Sequence, residues 1–383
     1  MSTNSLLRHK RLPFGRAGWA TALAVAAFFG PALHAFDAEE GLIEPPARVN
    51  AAMVSLGDRL LLTGGRVPAS GPVRGGDVFL NDLWEFSVEA RAWAELTSLS
   101  ALPSQERGTL ETDLDGNALF FPGFDPFGFS NPALFIFLDA INQLIDLNNP
   151  HPDGISGGVN VDSPNRVLLG GGQDSISNPP GRLARTFDKN SSTYTQVTTL
   201  NVAAIRGIGF FDPLLDIFGL AFGFDETFMP SFELQLVDDG TGGRSLGGAS
   251  VVSVPFPQGP GLPPFRSDAA FAQRGDRLVV FGGFDAQLGV LGDLWLVDVS
   301  TLAAEAAGGG PITTASFQLL GNFAPRAGAS IGFLDDDRVL LFGGFNSSAD
   351  ALAATQIIDL SEPPIFTDGF ESGDTDIWSA AVP

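Results

Sequence analysis

The sequence predicts an all-β fold assembled from six similar units, each a small antiparallel sheet. Three observations point to this class: the composition, a recurring pair of glycines, and turn and strand signals that repeat in step with the glycines. Gly (47) and Pro (27) are frequent and hydrophobic residues make up 44% of the 383 residues. Such a composition is typical of many short strands that are separated by turns and packed on a sizeable core.

A pair of glycines, or the remnant of one, follows an apolar run six times along the chain. The last glycines of these runs recur at intervals of 49 to 61 residues and are Gly65, Gly123, Gly172, Gly223, Gly283 and Gly344. A recurrence of this kind indicates a repeat architecture with one supersecondary unit per repeat. We expect the glycines where neighbouring units crowd together, because a residue without a side chain lets one backbone approach another.

Further landmarks repeat with the glycines. An arginine precedes the last glycine by 16 to 18 residues in five of the six units, at Arg48, Arg107, Arg206, Arg266 and Arg326. A turn signal such as Gly57-Asp58 lies between the two landmarks, and a third strand follows the glycines. A fourth strand is visible in four units, whereas residues 138–153 suggest a short helical turn. We expect Trp84 and Trp295, on third strands, to fill the space between units.

The units at 46–96, 263–320 and 325–360 resemble kelch repeats. The first two have a Pro-x-Arg or Pro-x-x-Arg lead and the third has Pro325 directly before Arg326; all three carry Gly-Gly, and the first two also carry Asp-Leu-Trp, while the middle three units are degenerate. The resemblance covers most of residues 40–360. It implies a six-bladed kelch-type β-propeller with four antiparallel strands per blade around a central channel.

The last blade lacks a fourth strand, since its third strand leads into Ser361-Glu362-Pro363-Pro364. A ring left open would expose two strand edges. We therefore predict that an N-terminal strand near Ala38–Ile43 closes the last blade, with Ile377–Ala380 as the alternative. The predicted organisation is a signal peptide at 1–35, the propeller at 36–362 and a C-terminal tail at 363–383.

The first 35 residues predict export. Four basic residues precede an apolar stretch from Ala17 to Phe29, and Gly30-Pro31 lies shortly before a small residue at Ala35. We expect a periplasmic, cell-surface or secreted protein of a Gram-negative-type bacterium that has no membrane span and is a monomer. The formal net charge of −23 makes nucleic acid an unfavourable partner.

Several kinds of chemistry are excluded by residue counts. Kelch-type propellers include copper oxidases of the galactose oxidase type, but this chain has no Cys and a single Tyr, so it would be a galactose oxidase-like propeller without the copper site. His151 is the one histidine outside the predicted signal peptide, which excludes sites with several imidazoles, and we interpret it as a loop residue.

The candidate binding residues follow the glycines. Five units place an acidic or amide residue two positions after the last glycine, namely Asp125, Asp174, Asp225, Asp285 and Asn346. This set could hold calcium or repel anions, although capping of each residue's own loop is the favoured interpretation. Arg66 and Arg74, in the long loop of the first unit, could pair with an acidic ligand or with the protein's own carboxylates. No other cofactor is expected.

These observations favour a non-enzymatic binding or scaffold protein that engages a protein or a glycan through loop faces, because binding residues on propellers belong to loops. The alternative is a carbohydrate-active enzyme, a hydrolase, lyase or mutarotase of acidic sugars, that uses arginines and carboxylates on the propeller face.

Overall fold

The computed structural model describes residues 35–37, 43–69, 76–96, 102–138, 143–154, 157–241, 246 and 250–361. Strands dominate this part of the chain. In chain order the strands are β1 (Ala35–Asp37), β2 (Ala52–Leu56), β3 (Arg59–Thr63), β4 (Arg66–Val67), β5 (Val78–Phe79), β6 (Leu83–Ser87), β7 (Ala92–Glu95), β8 (Thr109–Thr112), β9 (Ala118–Phe121), β10 (Phe135–Leu138), β11 (Gln143–Asp146), β12 (Val159–Asp162), β13 (Arg166–Gly170), β14 (Leu183–Asp188), β15 (Thr193–Thr199), β16 (Ile208–Asp212), β17 (Ile217–Ala221), β18 (Glu233–Val237), β19 (Val251–Pro255), β20 (Ala270–Arg274), β21 (Arg277–Asp285), β22 (Gly289–Asp298), β23 (Phe317–Asn322), β24 (Ala327–Phe333), β25 (Arg338–Phe345) and β26 (Thr355–Asp359).

Six four-stranded antiparallel sheets form the blades of a propeller, as the sequence predicts. The sheets, here called blades 1 to 6, are β2-β3-β6-β7, β8-β9-β10-β11, β12-β13-β14-β15, β16-β17-β18-β19, β20-β21-β22-β23 and β24-β25-β26-β1. The first strand of each blade is its inner strand, and inner strands of consecutive blades contact one another around the axis. β4 and β5 form a separate two-stranded ribbon in the long loop of blade 1.

The N-terminal strand closes the ring, but from slightly earlier residues than the sequence suggests. β1 pairs antiparallel with β26, joining Ala35 to Ile358 and Asp37 to Gln356. The predicted segment Ala38–Ile43 is therefore displaced by a few residues, because the linker from β1 to Arg48 is longer than the corresponding linker from β23 to Arg326. The alternative at Ile377–Ala380 lies outside the described residues.

The two glycines of each pair have different neighbours. A Cβ on Gly282 would lie 2.3 Å from the carbonyl oxygen of Arg326 in the next blade, and one on Gly343 would lie 2.7 Å from that of Arg48. A Cβ on Gly283 would instead lie 2.7 Å from the carbonyl oxygen of Ser267 in its own blade. The first glycine thus allows neighbouring blades to approach, and the second allows the blade to fold closely on itself.

The third-strand tryptophans fill the space between blades, as expected. Trp84 packs with residues of blades 1 and 6, and Trp295 packs with residues of blades 4 and 5. The indole Nε1 of Trp295 donates to Asp293 Oδ2 over 2.6 Å, and Trp84 Nε1 makes the same bond to Asp82 at 2.8 Å. The Asp-Leu-Trp sequence therefore joins an apolar anchor to a carboxylate that satisfies its N–H.

Two elements differ from the sequence predictions. Residues 138–153 carry the fourth strand of blade 2, β11, where a helical turn is suggested, and its side chains are mostly exposed, which removes the apolar alternation that marks a strand. An unpredicted helix, α1 (Val299–Ala307), follows β22 and is capped by Asp298, which accepts a hydrogen bond from Thr301 N. No helix in the described part of the chain is long and apolar enough to cross a membrane.

Candidate functional site

An axial cavity of about 710 Å³ runs between the six inner strands. This volume is within the range of ordinary small-molecule sites. One end of the cavity opens on the face built by the loops that follow the glycines, which we call the glycine-loop face. The other end opens on the face built by the hairpin turns that follow the inner strands, which we call the turn face.

The five landmark arginines occupy two different positions in the blades, so their apparent equivalence in the sequence is wrong. Arg48 and Arg266 precede the first paired residue of the inner strand by four positions; Arg326 is the equivalent residue of blade 6, where pairing begins earlier, at Ala327, and all three are buried. Arg107 and Arg206 precede the first paired residue by two positions and line the cavity. The hairpin turns differ in length between blades, so both groups of arginines lie a similar number of residues before the last glycine. Their different positions relative to the inner strand are therefore not visible in the sequence.

The buried arginines are structural. Arg266 is fully buried, and its Nη1 and Nη2 donate to Asp293 Oδ1 and Oδ2 over 3.0 and 2.7 Å. Arg48 makes the same two bonds to Asp82, both at 2.6 Å. Each arginine thereby holds the carboxylate that also accepts the indole N–H of the blade's tryptophan.

One residue near the start of each inner strand, two positions before the strand in blades 1 to 5 and inside β24 in blade 6, belongs to a ring around the mouth of the cavity on the glycine-loop face. All six residues of this mouth ring have left-handed backbone, with φ between 52° and 67°, and all six line the cavity: Asn50, Arg107, Gly157, Arg206, Asp268 and Gly328. Backbone hydrogen bonds join ring members of neighbouring blades, including Asn50 N to Gly328 O (2.7 Å) and Gly328 N to Asp268 O (2.8 Å). The backbone of the ring therefore helps to fasten blade to blade.

An ion pair crosses the axis within the mouth ring. Arg107 belongs to blade 2 and Asp268 to blade 5, the opposite blade, yet Arg107 Nη1 lies 2.8 Å from Asp268 Oδ1. Arg206 of blade 4 contributes a second cation, whose Nη1 lies 3.6 Å from Asp268 Oδ2. Burial raises the pKa of Asp268, but the charges of Arg107 and Arg206 outweigh burial and keep that pKa below its ordinary value, so the carboxylate is ionised at neutral pH.

A second group of charged residues lines the cavity toward the turn face. Lys189 Nζ lies 2.6 Å from Asp162 Oδ1 and also donates to Ser163 O, while Thr112 Oγ1 donates to Asp162 Oδ2 over 2.8 Å. Glu111, on β8, lies beside this group and lines the same cavity. Burial and the neighbouring charge of Asp162 raise the pKa of Glu111 well above its ordinary value, and Lys189 offsets this only in part.

The acidic and amide residues after the glycines cap their own loops. Asp125 Oδ1 accepts from Phe127 N and Phe129 N, each at 2.9 Å, and Asp225 Oδ1 accepts from Thr227 N and Met229 N. The other three also bond within their loops: Asp285 with Gln287 N and Leu288 N, Asn346 with Ser348 N and Asp350 N, and Asp174 with Asn178 Nδ2. These side chains fix the loops of the glycine-loop face in defined shapes.

The capped loops present large apolar side chains to solvent. Phe127 is 84% exposed, Met229 60% and Leu288 65%. Phe228 is also exposed although its backbone is left-handed, with φ of 59°; the equivalent loop position is Gly128 in blade 2. A bulky side chain at such a position is strained and contributes nothing to the core, which indicates a role outside folding.

Of the other sequence-predicted residues, Arg66 and His151 do not line the axial cavity. Arg66 donates to Asp77 Oδ2 and Glu106 Oε2, both at 2.7 Å, so it pairs with the protein's own carboxylates. Arg74 lies outside the described residues. His151 is buried rather than in an open loop; it packs edge-on against Tyr194, and burial lowers its pKa to about 4.

No three His, Cys, Asp or Glu side chains come together as a potential metal site anywhere in the described ranges. The mouth ring itself was missed at the sequence level. Its signal is a residue that tolerates left-handed backbone near the start of each inner strand, but Asn, Asp and Gly at four of the six positions resemble ordinary turn residues.

A search against models of known protein families finds no match to this chain. A search of curated proteins finds no matching sequence either.

Proposed function

We propose that this chain is an exported, kelch-type binding protein that holds a protein partner on its glycine-loop face. The observation that carries the proposal is the set of exposed apolar side chains, Phe127, Phe228, Met229 and Leu288, on self-capped loops of one face. Aromatic side chains are the residues that most often dominate the binding energy of protein interfaces.

The charge of the same face defines the partner. Asp125, Asp174, Asp225 and Asp285 accompany the apolar side chains, and hydrogen bonds from Thr227 and Met229 keep the pKa of Asp225 below its ordinary value against the opposing effect of burial. Asp225 is therefore ionised at neutral pH. A partner segment with basic and apolar side chains therefore complements the face in both respects.

The experiment compares two sets of exposed apolar residues. Phe127→Ser and Met229→Ser are combined in one variant of the glycine-loop face; Leu114→Ser and Leu214→Ser, on the turn face, form the control. Peptides selected from a random display library on the purified protein are then titrated against all three proteins. We expect basic, aromatic-rich peptides that bind the control like the wild type and the first variant at least tenfold more weakly. Equal binding to all three, or selection of glycans but no peptides on an array, would contradict the proposal.

A specific observation also favours a second candidate, a carbohydrate-active enzyme of acidic sugars. Glu111 and Asp162 both line the axial cavity, and burial raises the pKa of each, for Glu111 well above its ordinary value; Lys189 and Thr112 partly offset the effect of burial on the pKa of Asp162. Two carboxyl groups with different surroundings in one cavity are the kind of pair that acid–base chemistry on a sugar uses. The test is turnover of uronate-containing oligosaccharides: activity lost in Glu111→Gln and kept in Glu95→Gln, on an outer strand, would establish this candidate over simple binding.

A further inference from the structure

The hairpin turn between β14 and β15 carries the sequence Asn190-Ser191-Ser192, and all three residues are exposed. The backbone N–H of Lys189 donates over 2.9 Å to the carbonyl oxygen of Asn165, in the turn that follows the inner strand, so this tip lies on the turn face of blade 3. Asn-x-Ser, where x is not proline, is the acceptor pattern for N-linked glycosylation, and it functions on surface loops of exported proteins. The position of the tip meets this requirement for exposure.

The hydrogen bonds of this turn fix its backbone and leave the acceptor groups accessible. Asp188 Oδ1 accepts from Asn190 N, Ser191 N and Ser191 Oγ, at 2.9, 2.8 and 3.0 Å. Asn149 Nδ2 donates to Ser192 O over 2.6 Å and fastens the tip to the segment that links blades 2 and 3. Among the residues that the structure describes, the Asn190 amide group and the Ser192 hydroxyl group have no hydrogen-bond partner. The two side chains that a glycosyltransferase must engage therefore face solvent.

A second occurrence of the same three residues, Asn346-Ser347-Ser348, lies on the glycine-loop face and differs in this respect. Asn346 Oδ1 accepts from Ser348 N at 2.9 Å and from Asp350 N at 3.0 Å, so the amide group caps its own loop. It cannot turn outward without the loss of both bonds. The chain thus contains one accessible acceptor and one that its own loop holds back.

We propose that Asn190 is an acceptor for N-linked glycosylation, an inference that rests on the export included in the proposed function. The donor is an oligosaccharide that is linked to a lipid through a diphosphate. Asn190 Nδ2 forms a bond to the anomeric carbon of the sugar, and the bond from that carbon to the diphosphate oxygen breaks. The lipid diphosphate leaves with the electron pair, and one proton of Nδ2 passes to a base of the transferase. A glycan at this position is on the turn face and leaves the glycine-loop face uncovered.

The experiment produces the complete chain in a bacterium that carries a lipid-linked oligosaccharide and a membrane oligosaccharyltransferase, and in the same bacterium without the transferase. Protein from the periplasm is examined by intact mass and by mass spectrometry of its peptides. We expect a mass increase of one oligosaccharide only when the transferase is present. The increase should lie on the peptide that contains Asn190, and the peptide that contains Asn346 should be unmodified.

Three variants of the same turn locate the site. Asn190→Gln and Ser192→Ala each remove one part of the acceptor pattern and should lower the modified fraction at least tenfold. Ser191→Ala keeps the Asn-x-Ser pattern, so it is the matched control and should be modified like the wild type. The variant that combines Phe127→Ser and Met229→Ser on the opposite face should also be modified like the wild type.

Periplasmic protein without the oligosaccharide overturns the proposal, as does modification that persists in Asn190→Gln or that lies on Asn346 instead. Protein that never reaches the periplasm contradicts the export and overturns this proposal with it. Exported, glycosylated protein that selects no peptide would contradict only the proposed protein partner, so the two proposals are tested separately.

Discussion

Replacement of Arg266 by Met tests the role of the buried arginine in a blade. The change removes a fully buried guanidinium that donates to both oxygens of Asp293 and, over 2.9 Å, to the carbonyl of Gly282. Asp293 keeps Trp295 Nε1 as a donor but loses its counter-charge. Removal of one partner from a buried ion pair costs about 3–5 kcal/mol, because the remaining charge is left without compensation.

The chain contains its own control for this prediction. Arg326 occupies the same position in blade 6, where Ala354 stands in place of Asp293, and its Nη1 donates to Ala354 O over 3.1 Å. Arg326→Met leaves no carboxylate behind at residue 354, and the Nη1 of Arg326 also donates to Gly343 O over 3.5 Å. We therefore expect a cost of about 1–3 kcal/mol, the scale of buried hydrogen bonds, and a smaller one than for Arg266→Met.

Urea unfolding followed by tryptophan fluorescence measures both variants, and the midpoints are compared where the denaturant slope is unchanged. Arg266→Met combined with Asp293→Asn should recover part of the loss, since no charge then stays buried without a partner. Equal shifts for Arg266→Met and Arg326→Met, or no recovery in the double variant, would refute the view that the ion pair, rather than packing of the arginine stem, stabilises the blade.

Three further predictions concern other parts of the fold. Gly282 and Gly275 have similar left-handed backbone, with φ of 60° and 63°, but an added Cβ would clash only at Gly282. Urea midpoints should therefore show a loss of stability of about 1 kcal/mol for Gly275→Ala and a clearly larger loss for Gly282→Ala. Asp225→Ala should lower the free energy of unfolding by about 1 kcal/mol at pH 7. Because the pKa of Asp225 is lowered in the folded state, this loss of stability relative to the wild type should persist above about pH 4 and shrink as the pH falls through the folded-state pKa. A loss of stability that grows in acid would contradict this. Replacement of Ala35–Asp37 by three prolines removes the strand that pairs with β26 and leaves β26 as an exposed sheet edge. Size-exclusion chromatography should then show concentration-dependent association. A monomeric profile would argue against the view that β1 is needed to protect this edge.

The blade count and strand order could be predicted because they depend on local signals that repeat. Each glycine pair marks a backbone contact that no other residue allows, and a hairpin turn precedes each pair, so six units could be recognised even where the arginine was absent. The closing strand was predicted from the unpaired edge of the last blade. Its residues could not be placed within a few positions, because the linker before Arg48 has no counterpart of equal length.

The charged centre of the cavity could not be predicted in the same way. Arg107 and Asp268 are far apart in sequence and meet only because blades 2 and 5 are opposite in a ring of six. Glu111 and Asp162 look like ordinary alternating strand residues until two inner strands lie side by side. Pairing across a ring depends on the number of blades and on exact register, which a repeat pattern alone does not supply.

The closure by β1 makes the order of the blades cyclic. Ala35 and Ile358 are partners in one ladder, so the propeller has a defined sequence of neighbours around its circumference but no intrinsic beginning. A chain rewired to start at β20 and to continue from β26 through a short linker into β1 would present the same neighbours to every blade. Circular permutation could therefore place new N- and C-termini in any of the loops between strands. The new termini could be placed on whichever face of the propeller is to carry a fused domain.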